Sequence, residues 1–356
     1  MGWYLFLAVS PILMAPIVSD IYKTPIDKSD KTKKTYLVAC GIILFLMIAL
    51  RDKGLGSGDS LAYYNNWIKL SGMSFSNLQD FMKLSDMESG YLFTVWCLSR
   101  FFPSAQYLFV LTGLLFTTSI CITVYRNSED VMLSMVMCIC LGLYTFMIQG
   151  LRQGIAMSIC LFAIEACKKR NLFRFLILIL LAFVFHRTCL VFLPVYFLYG
   201  LKFDGKTKIV MPIVAAVLLV ISPLIVKYGN AFLDREYLDT VESGAVIAML
   251  TYAIIVAVAF IFLNEKNTDN NNTFFIFITV LGMSFYAMRY IGAQAMERTS
   301  FYFLFGQAIV LPTVIGKFDS TLRVIINFLV CVLSIALFIY RLNTSYGLEY
   351  MFFWEG

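Results

Sequence analysis

Polar residues that suit phosphate chemistry occur in four short segments of otherwise apolar sequence. The segments are residues 49–67 (ALRDKGLGSGDSLAYYNNW), 146–158 (FMIQGLRQGIAMS), 181–194 (LAFVFHRTCLVFLP) and 287–306 (AMRYIGAQAMERTSFYFLFG). Each contains arginine, whose planar, forked and permanently charged guanidinium suits the oxygens of phosphate and carboxylate groups. Together the segments indicate a site for a ligand that carries phosphate.

The first segment places Arg51 at the end of an apolar stretch, followed by Gly54, Gly56, Gly58 and Asp59. A glycine-rich backbone can present N–H groups to an anion. The alternative is a flexible turn in which the aspartate caps a helix that starts at the next residue. The glycine spacing is not a dinucleotide fingerprint and no strand precedes it, which excludes a nucleotide-binding fold.

The second segment brings charge into an apolar region. Gly150 joins two apolar stretches almost without a loop, so Arg152 and Gln153 are expected at or just below a membrane surface. An arginine at that depth is costly unless it is paired or faces an aqueous cavity. A side chain that extends to the lipid headgroups is the structural alternative.

The third segment contains His186, the only histidine in the chain, next to Arg187. A lone histidine is usually structural. Here it stands beside an arginine, and histidine is the side chain whose unperturbed pKa lies nearest neutrality. His186 is therefore a candidate acid or base.

The fourth segment contains Arg289, Glu297 and Arg298 around a short loop, and Tyr302 follows one helical turn later. These charges could bind a ligand. They could also lie at the level of the headgroups, or Arg298 could pair with Asp59 or Glu297.

The composition is that of a membrane protein. Of 356 residues, 60% are hydrophobic and 14% charged, where soluble domains carry about 25% charged residues. Mean hydropathy is +0.81. The net charge of +6 comes without a dense basic stripe, which favours anionic lipid headgroups over nucleic acid. With one histidine, and with most of the nine cysteines inside apolar stretches, a zinc site is improbable, and neither metal nor cofactor is expected.

The elements that must position these segments are membrane-spanning helices. About twelve apolar stretches approach the roughly 20 residues that a crossing needs, which predicts an all-α polytopic protein with one membrane-embedded domain over residues 1–356. The predicted spans are 3–18, 36–50, 106–125, 131–149, 150–168, 172–185, 188–201, 209–226, 246–263, 273–289, 299–315 and 322–340.

The distribution of lysine and arginine predicts how the chain is oriented in the membrane. Lysine-rich connections such as 20–34 and 202–208 belong inside by the positive-inside rule. The outer side then collects arginine against that rule, and the two large outer loops are 51–105 and 227–245. In the first loop, the apolar run 91–102 is too short for a crossing and predicts an interfacial or re-entrant helix. The second mixes charges with aromatics and is a candidate lid.

Taken in order, the segments resemble the EpsG-type and Wzy-type family of bacterial polysaccharide (O-antigen) polymerases. The resemblance rests on Arg51, Gly58, Asp59 and Tyr63 or Tyr64, on Arg152, Gln153, Ile155 and Ala156, on Phe185 and His186, and on Arg298, Tyr302 and Phe303. It implies a multi-pass glycosyltransferase of the bacterial inner membrane whose active site faces the periplasm. Such an enzyme moves a growing glycan from undecaprenyl pyrophosphate onto an incoming lipid-linked oligosaccharide.

That reaction must hold a pyrophosphate leaving group and deprotonate or orient an acceptor hydroxyl. Arg152 and Arg298 are the candidates for the first task, supported by Arg51 or Arg289. His186 and Asp59 are the candidates for the second, with their order open. The further substrate-binding candidates are Tyr63, Tyr64, Gln153, Glu297 and Tyr302.

Three other functions fit part of the pattern. A flippase or transporter of the same lipid-linked unit also needs cationic sites, although no internal repeat is present. A membrane acyltransferase and an O-antigen ligase are the others. Expected partners are the undecaprenyl-pyrophosphate-linked oligosaccharide, membrane lipids and a chain-length regulator, but not nucleic acid.

Overall fold

The protein is helical throughout its described part. The computed structural model describes residues 1–55, 57–233, 243–290, 295–343 and 349–355, and these ranges contain no β-strand, only an isolated bridge between Arg51 and Phe352. The α-helices are α1 Gly2–Tyr22, α2 Asp30–Ala49, α3 Ser57–Ser71, α4 Phe75–Leu84, α5 Ser89–Phe101, α6 Tyr107–Asn127, α7 Val131–Cys140, α8 Leu143–Gln149, α9 Leu151–Lys168, α10 Leu172–Phe185, α11 Val195–Leu198, α12 Gly205–Val220, α13 Ser222–Leu233, α14 Ser243–Phe262, α15 Asn270–Met288, α16 Ala295–Leu304, α17 Gln307–Ile315 and α18 Ser320–Arg341, and a 3-10 helix spans Arg187–Phe192.

The prediction of an all-α polytopic membrane protein is confirmed. Among the described residues, five helices are long and apolar enough to cross a membrane: α1, α2, α6, α15 and α18. The number rises to seven if each of two bent helix pairs is one span. The expected figure of about twelve spans is not confirmed by this count, because several predicted spans form shorter apolar helices, such as α10 with 14 residues and α12 with 16.

Among the described residues, the predicted spans 131–149 and 299–315 are sharply bent at a break. Helices α7 and α8 meet at 47°, and α16 and α17 meet at 45°. The first break falls at Gly142, whose φ of 99° is a conformation that favours glycine. A Cβ at this position would also lie 2.9 Å from the Arg341 guanidinium. The second break falls at Gly306, where a Cβ would lie 2.4 Å from the Thr279 hydroxyl.

The first of the two large loops, residues 51–105, is more structured than predicted. The expected short helix is present as α5, but α3 and α4 precede it. In the second large loop, α13 runs to Leu233 and residues 234–242 lie outside the described part of the chain. The predicted lid therefore falls largely on residues that the structure does not describe.

Helices α6 and α9 define two polar ends of the molecule. Near the start of α9, Arg152 donates to Glu88. At the last residue of α9, the Lys168 ammonium donates to Oδ1 of Asn127, the last residue of α6, at 2.8 Å. Sixteen residues of helix separate these points, about 24 Å at about 1.5 Å per residue, which is close to the hydrocarbon thickness of a bilayer, about 30 Å. The arginine-bearing and lysine-bearing ends are thus opposite ends of the bundle.

The buried core is formed mainly by α7, α9, α15 and α17, whose described side chains are mostly buried. Peripheral helices expose large apolar side chains instead. Leu333 of α18 is 67% exposed and Leu180 of α10 is 65% exposed. Exposed apolar surface of this kind is stable only against lipid, so these helices form the perimeter of the bundle.

Candidate active site

An ion pair between Glu88 and Arg152 lies at the arginine-bearing end. Glu88 is the residue before α5, and its side chain does not cap that helix. Its Oε2 instead accepts from Arg152 Nη1 in the second position of α9. The side chains are 11% and 9% exposed. Since an uncompensated buried charge is strongly unfavourable, the carboxylate is what permits an arginine at this depth.

The same carboxylate binds His186. Helix α10 ends at Phe185, and His186 adopts an extended backbone (φ −159°, ψ 119°) before the 3-10 helix begins. Its Nδ1 lies 2.9 Å from Glu88 Oε1. The backbone N–H of Arg187 donates to that oxygen at 3.4 Å. Glu88 therefore joins an arginine and a histidine that are distant in sequence.

These contacts keep Glu88 ionised. Burial by itself would raise the pKa of Glu88. The hydrogen bond and charge of His186, with the charge of Arg152, outweigh burial and lower the pKa to about 2. The carboxylate is therefore negative at every physiological pH. A fixed charge between two basic groups can hold both in position.

Tyr63 of α3 forms another side of this cluster. Arg152 Nε donates to the Tyr63 hydroxyl at 3.3 Å. The Tyr63 ring is 5% exposed and packs edge-on against Tyr91 with a centroid distance of 5.7 Å. Two separate groups of the Arg152 fork are thus engaged by side chains from the first outer loop, which fixes the plane of the guanidinium.

Arg298 and Asp59 form a second, more exposed pair beside the first. Arg298 Nη2 lies 3.8 Å from Asp59 Oδ2, and the side chains are 42% and 49% exposed. Gln153, the neighbour of Arg152, donates its amide to the Arg298 carbonyl at 2.6 Å. An exposed pair of this length is weak, so Arg298 can exchange Asp59 for a stronger anion.

Tyr302 connects α16 to the segment that carries the histidine. Its hydroxyl lies 3.2 Å from the Thr188 hydroxyl, two residues after His186. Residues from α3, the α5 start, α9, the α10 end and α16 are therefore in one neighbourhood. We refer to Asp59, Tyr63, Glu88, Arg152, Gln153, His186, Arg298 and Tyr302 as the arginine cluster.

Two glycines bring these helices close together. A Cβ on Gly90 would lie 2.0 Å from Val184 Cγ1 and 2.7 Å from the Val184 carbonyl, so α5 contacts the end of α10 directly. A Cβ on Gly154 would lie 2.8 Å from the Phe116 ring of α6. Gly90 stands two residues after Glu88 and Val184 two residues before His186. The first close approach therefore sets the Glu88–His186 distance.

Arg289 and Glu297 are paired with each other. Arg289 Nη1 donates to Glu297 Oε2, and their side chains are 7% and 15% exposed. No contact joins this pair to Glu88 in the described part of the chain. Their predicted role in substrate binding remains a prediction, and any ligand would have to replace an existing buried ion pair.

Arg51 is fully buried, and its described contacts do not include Glu88. Its Nη1 donates to the Leu55 carbonyl, and its guanidinium carbon lies 4.1 Å from the Phe109 ring centroid. Tyr64 stacks on the same ring at 6.2 Å. Burial lowers the pKa of Arg51 to about 10, so it is still charged at neutral pH. Its place in substrate binding, and that of Tyr64, likewise remain predictions.

The glycine-rich turn leads directly into α3, and its described residues make a hydrogen bond within the turn. The Gly54 N–H donates to Asp52 Oδ1 at 2.7 Å, while Gly56 lies outside the described residues. Helix α3 begins at Ser57, so Gly58 and Asp59 lie in its first turn. The helix thus starts three residues before the expected position at Ser60.

All nine cysteines are free. Within the described ranges, no group of three or more His, Cys, Asp and Glu side chains could hold a metal ion. The chemistry available to the arginine cluster is that of its guanidinium, carboxylate, imidazole and phenol groups.

Sequence analysis missed Glu88. This residue is separated from Arg152 by 64 positions and from His186 by 98, and no local pattern links them. One signal was present: Glu88 stands three residues before the apolar run at 91–102. A carboxylate beside a helix that contacts the membrane needs a cationic partner.

Fold and site together define a polytopic membrane protein with a charge-balanced polar cluster at one end of its helices. The sequence pattern of the EpsG family matches residues 34–354, and the chain belongs to that family. The family is related to Wzy-type polymerases. No curated protein and no solved structure matches the chain. Membership and helical architecture fit a membrane protein of polysaccharide biosynthesis, a polymerase in general terms.

Proposed function

We propose that this protein polymerises lipid-linked oligosaccharide repeat units. The growing glycan leaves undecaprenyl pyrophosphate and is joined to a hydroxyl group of an incoming lipid-linked unit. The observation that carries the proposal is the arginine cluster, in which Glu88 binds both Arg152 and His186 and Arg298 lies alongside. A transfer of this type needs one fixed cation for the leaving group and one proton acceptor for the attacking hydroxyl.

Arg152 and Arg298 would bind the pyrophosphate. As the bond between the anomeric carbon and the pyrophosphate oxygen breaks, its electron pair moves to that oxygen, and nearby guanidinium groups stabilise the charge. Arg152 is held in place by Glu88 and Tyr63. Among the described residues, the Arg298 side chain has only the weak ion pair with Asp59, so we assign it to capture of the headgroup.

His186 would act as the base. If its Nδ1–H donates to Glu88 Oε1, the lone pair of the neutral ring lies on Nε2. The acceptor hydroxyl oxygen attacks the anomeric carbon, its proton passes to Nε2, and the proton later leaves to water. Glu88 is then a positioning residue that sets the tautomer and stabilises the imidazolium formed. Asp59 positions Arg298 or the acceptor.

We propose that the chain crosses the membrane about twelve times, with the lysine-bearing end in the cytoplasm and the arginine cluster facing the periplasm. The support is the alternation of helices along the chain. The bent pairs α7–α8 and α16–α17, the helices α9, α10, α12 and α14, and the 3-10 helix together with α11 coincide with the seven remaining predicted spans. The positive-inside rule supports the orientation.

The test is elongation in vitro by purified protein with a synthetic lipid-linked repeat unit. We expect Arg152→Ala and Arg298→Ala each to lower the rate by about 10²-fold or more. Lysine at either position should rescue poorly, because the planar fork is lost. Arg174→Ala is the matched control, since Arg174 is an exposed arginine at the start of α10. Normal glycan ladders from both alanine variants would refute the assignment.

A flippase of the same lipid-linked unit is the second candidate, favoured by the two broken helix pairs, since discontinuous helices line many transport paths. The breaks meet at a small cavity lined by Leu141, Phe305 and Gln307. A strain without this protein separates the two functions. Loss of a polymerase leaves single repeat units on the outer surface, and loss of a flippase leaves none. Loss of an O-antigen ligase would instead leave complete chains that are not transferred to the lipid core.

A further inference from the structure

A groove between α2 and α6 opens on the perimeter of the bundle, distinct from the arginine cluster. Its volume is about 430 Å³, and its walls are apolar. Val38 and Ile42 on α2 and Leu114 on α6 line it and are 61%, 53% and 56% exposed. Both helices are membrane-spanning candidates, so this groove faces lipid.

Small residues form the floor of the groove. A Cβ on Gly41 would lie 3.1 Å from Cys121 Sγ and 3.3 Å from the Thr117 methyl group. The helices can approach closely here because Gly41 has no side chain. Larger side chains on either side of this contact project outward and form the walls of the groove. The depression is therefore a property of the helix packing.

The groove has the length of one lipid leaflet. It extends from Lys34 to Phe45 along α2 and from Tyr125 to Leu114 along α6. Eleven residues of helix measure about 16 Å at about 1.5 Å per residue. Half of a hydrocarbon core of about 30 Å is about 15 Å. One acyl chain from one leaflet fits this span.

The polar end of the groove is basic. The ammonium groups of Lys33 and Lys34 lie 5.6 Å and 5.5 Å from the Tyr125 ring centroid. Asp30 accepts from Lys34 at 2.6 Å and from the Tyr125 hydroxyl. The connection over residues 27–34 contains four lysines and two aspartates. Cationic charge is thus in excess where a headgroup would lie.

We propose that this groove binds an acidic phospholipid of the leaflet at the lysine-bearing end, with one acyl chain between α2 and α6 and the phosphate at Lys33 and Lys34. The site goes beyond the proposed function. Arg51 and Phe109, at the opposite ends of the same two helices, mark the end that bears the arginine cluster, so a substrate headgroup bound there would lie in the other leaflet. The excess of lysine selects an anionic headgroup over a zwitterionic one.

The test uses the full-length protein in phosphatidylcholine vesicles that contain a trace of phosphatidylglycerol with a photoreactive acyl chain. Crosslinked peptides are identified by mass spectrometry. We expect labelling on α2 and α6, reduced by unlabelled phosphatidylglycerol but not by added phosphatidylcholine. Leu114→Trp, which fills the groove from an exposed position, should remove this labelling while labelling of α18 persists.

Charge is tested separately with Lys34→Glu. We expect roughly 25-fold less phosphatidylglycerol labelling, because the substitution changes the charge by two units, each worth about fivefold near an anionic surface. Lys83→Glu is the matched control, because Lys83 is also exposed and paired with an aspartate, Asp80, at 3.0 Å. Equal labelling by phosphatidylcholine and phosphatidylglycerol probes would overturn the proposal. So would labelling abolished by undecaprenyl phosphate alone, which would assign the groove to the substrate chain.

Discussion

At the scale of single residues, the arginine cluster depends on one carboxylate. Glu88 binds the guanidinium of Arg152 through one oxygen and the imidazole of His186 through the other. The two basic residues are the strongest catalytic candidates from the sequence, and neither had an assigned partner. Their geometry therefore rests on a third residue, which makes Glu88 the most informative position to change.

We expect Glu88→Gln to lower elongation by about 10²-fold or more, because the amide cannot neutralise Arg152 or stabilise an imidazolium. It should also destabilise the protein by about 3 kcal/mol, since a buried guanidinium loses its counter-charge. Chain length on gels and thermal unfolding in detergent are the measurements. Asp80→Asn, in the same loop but exposed, is the control. Wild-type elongation by the glutamine variant would show that the carboxylate has no catalytic consequence.

The ionisation of Glu88 predicts a pH dependence of stability. Its pKa is about 2 in the folded protein, below the ordinary 4.5. A lowered carboxyl pKa stabilises the fold above pH 4.5, and that contribution, about 3 kcal/mol, is lost as the pH falls towards 2. We expect the melting temperature of the wild type to fall over this acid range more steeply than that of Glu88→Gln. If the melting temperatures of the two proteins fell equally with pH, Glu88 would not be the source of the acid sensitivity.

At the scale of elements, close helix packing delivers the catalytic candidates to one place. Glu88 directly precedes α5, His186 directly follows α10, and the start of α5 contacts the end of α10. Gly90 makes that contact possible, because a side chain there would overlap Val184. The short helices of the first outer loop are therefore part of the site's framework.

We expect Gly90→Ala to separate α5 from α10 and lower elongation by about tenfold or more, with a loss of stability of about 1–3 kcal/mol. Elongation assays and thermal unfolding measure the two effects. The control is Gly72→Ala, because a Cβ on Gly72 has no neighbour within 4 Å. The idea fails if the two alanine variants elongate glycans equally well.

At the scale of the whole molecule, the two polar ends differ in chemistry. Arg152 and His186 lie at one end, while Lys33 and Lys168 contact Ser128 and Asn127 at the other. The lysine end includes the basic mouth of the α2–α6 groove. This arrangement places the proposed reaction site and the proposed lipid site at opposite ends of α2 and α6, and therefore in opposite leaflets.

A membrane-impermeant maleimide tests that arrangement in cells. In a chain whose native cysteines are replaced, we expect Lys83→Cys to react from outside and Lys34→Cys to react only after the membrane is made permeable. Both lysines are exposed, so reactivity reports the side of the membrane rather than burial. The opposite labelling pattern would reverse the proposed orientation.

The sequence by itself determined the features that depend on composition and local order. High hydropathy, sparse charge and the order of Arg152, His186 and Arg298 established a helical membrane protein of the EpsG family. The boundaries of α10 followed from apolar length, and so did those of α6 to within two residues. These properties are readable because a bilayer imposes the same length and polarity on every crossing.

Only the tertiary structure decided which charges meet. It paired Arg152 with Glu88, Arg289 with Glu297, and Arg298 with Asp59. It also buried Arg51 and bent two predicted spans at Gly142 and Gly306. The physical reason is that ion pairing and close packing act between residues far apart in the chain, whereas hydropathy and spacing report only on neighbours.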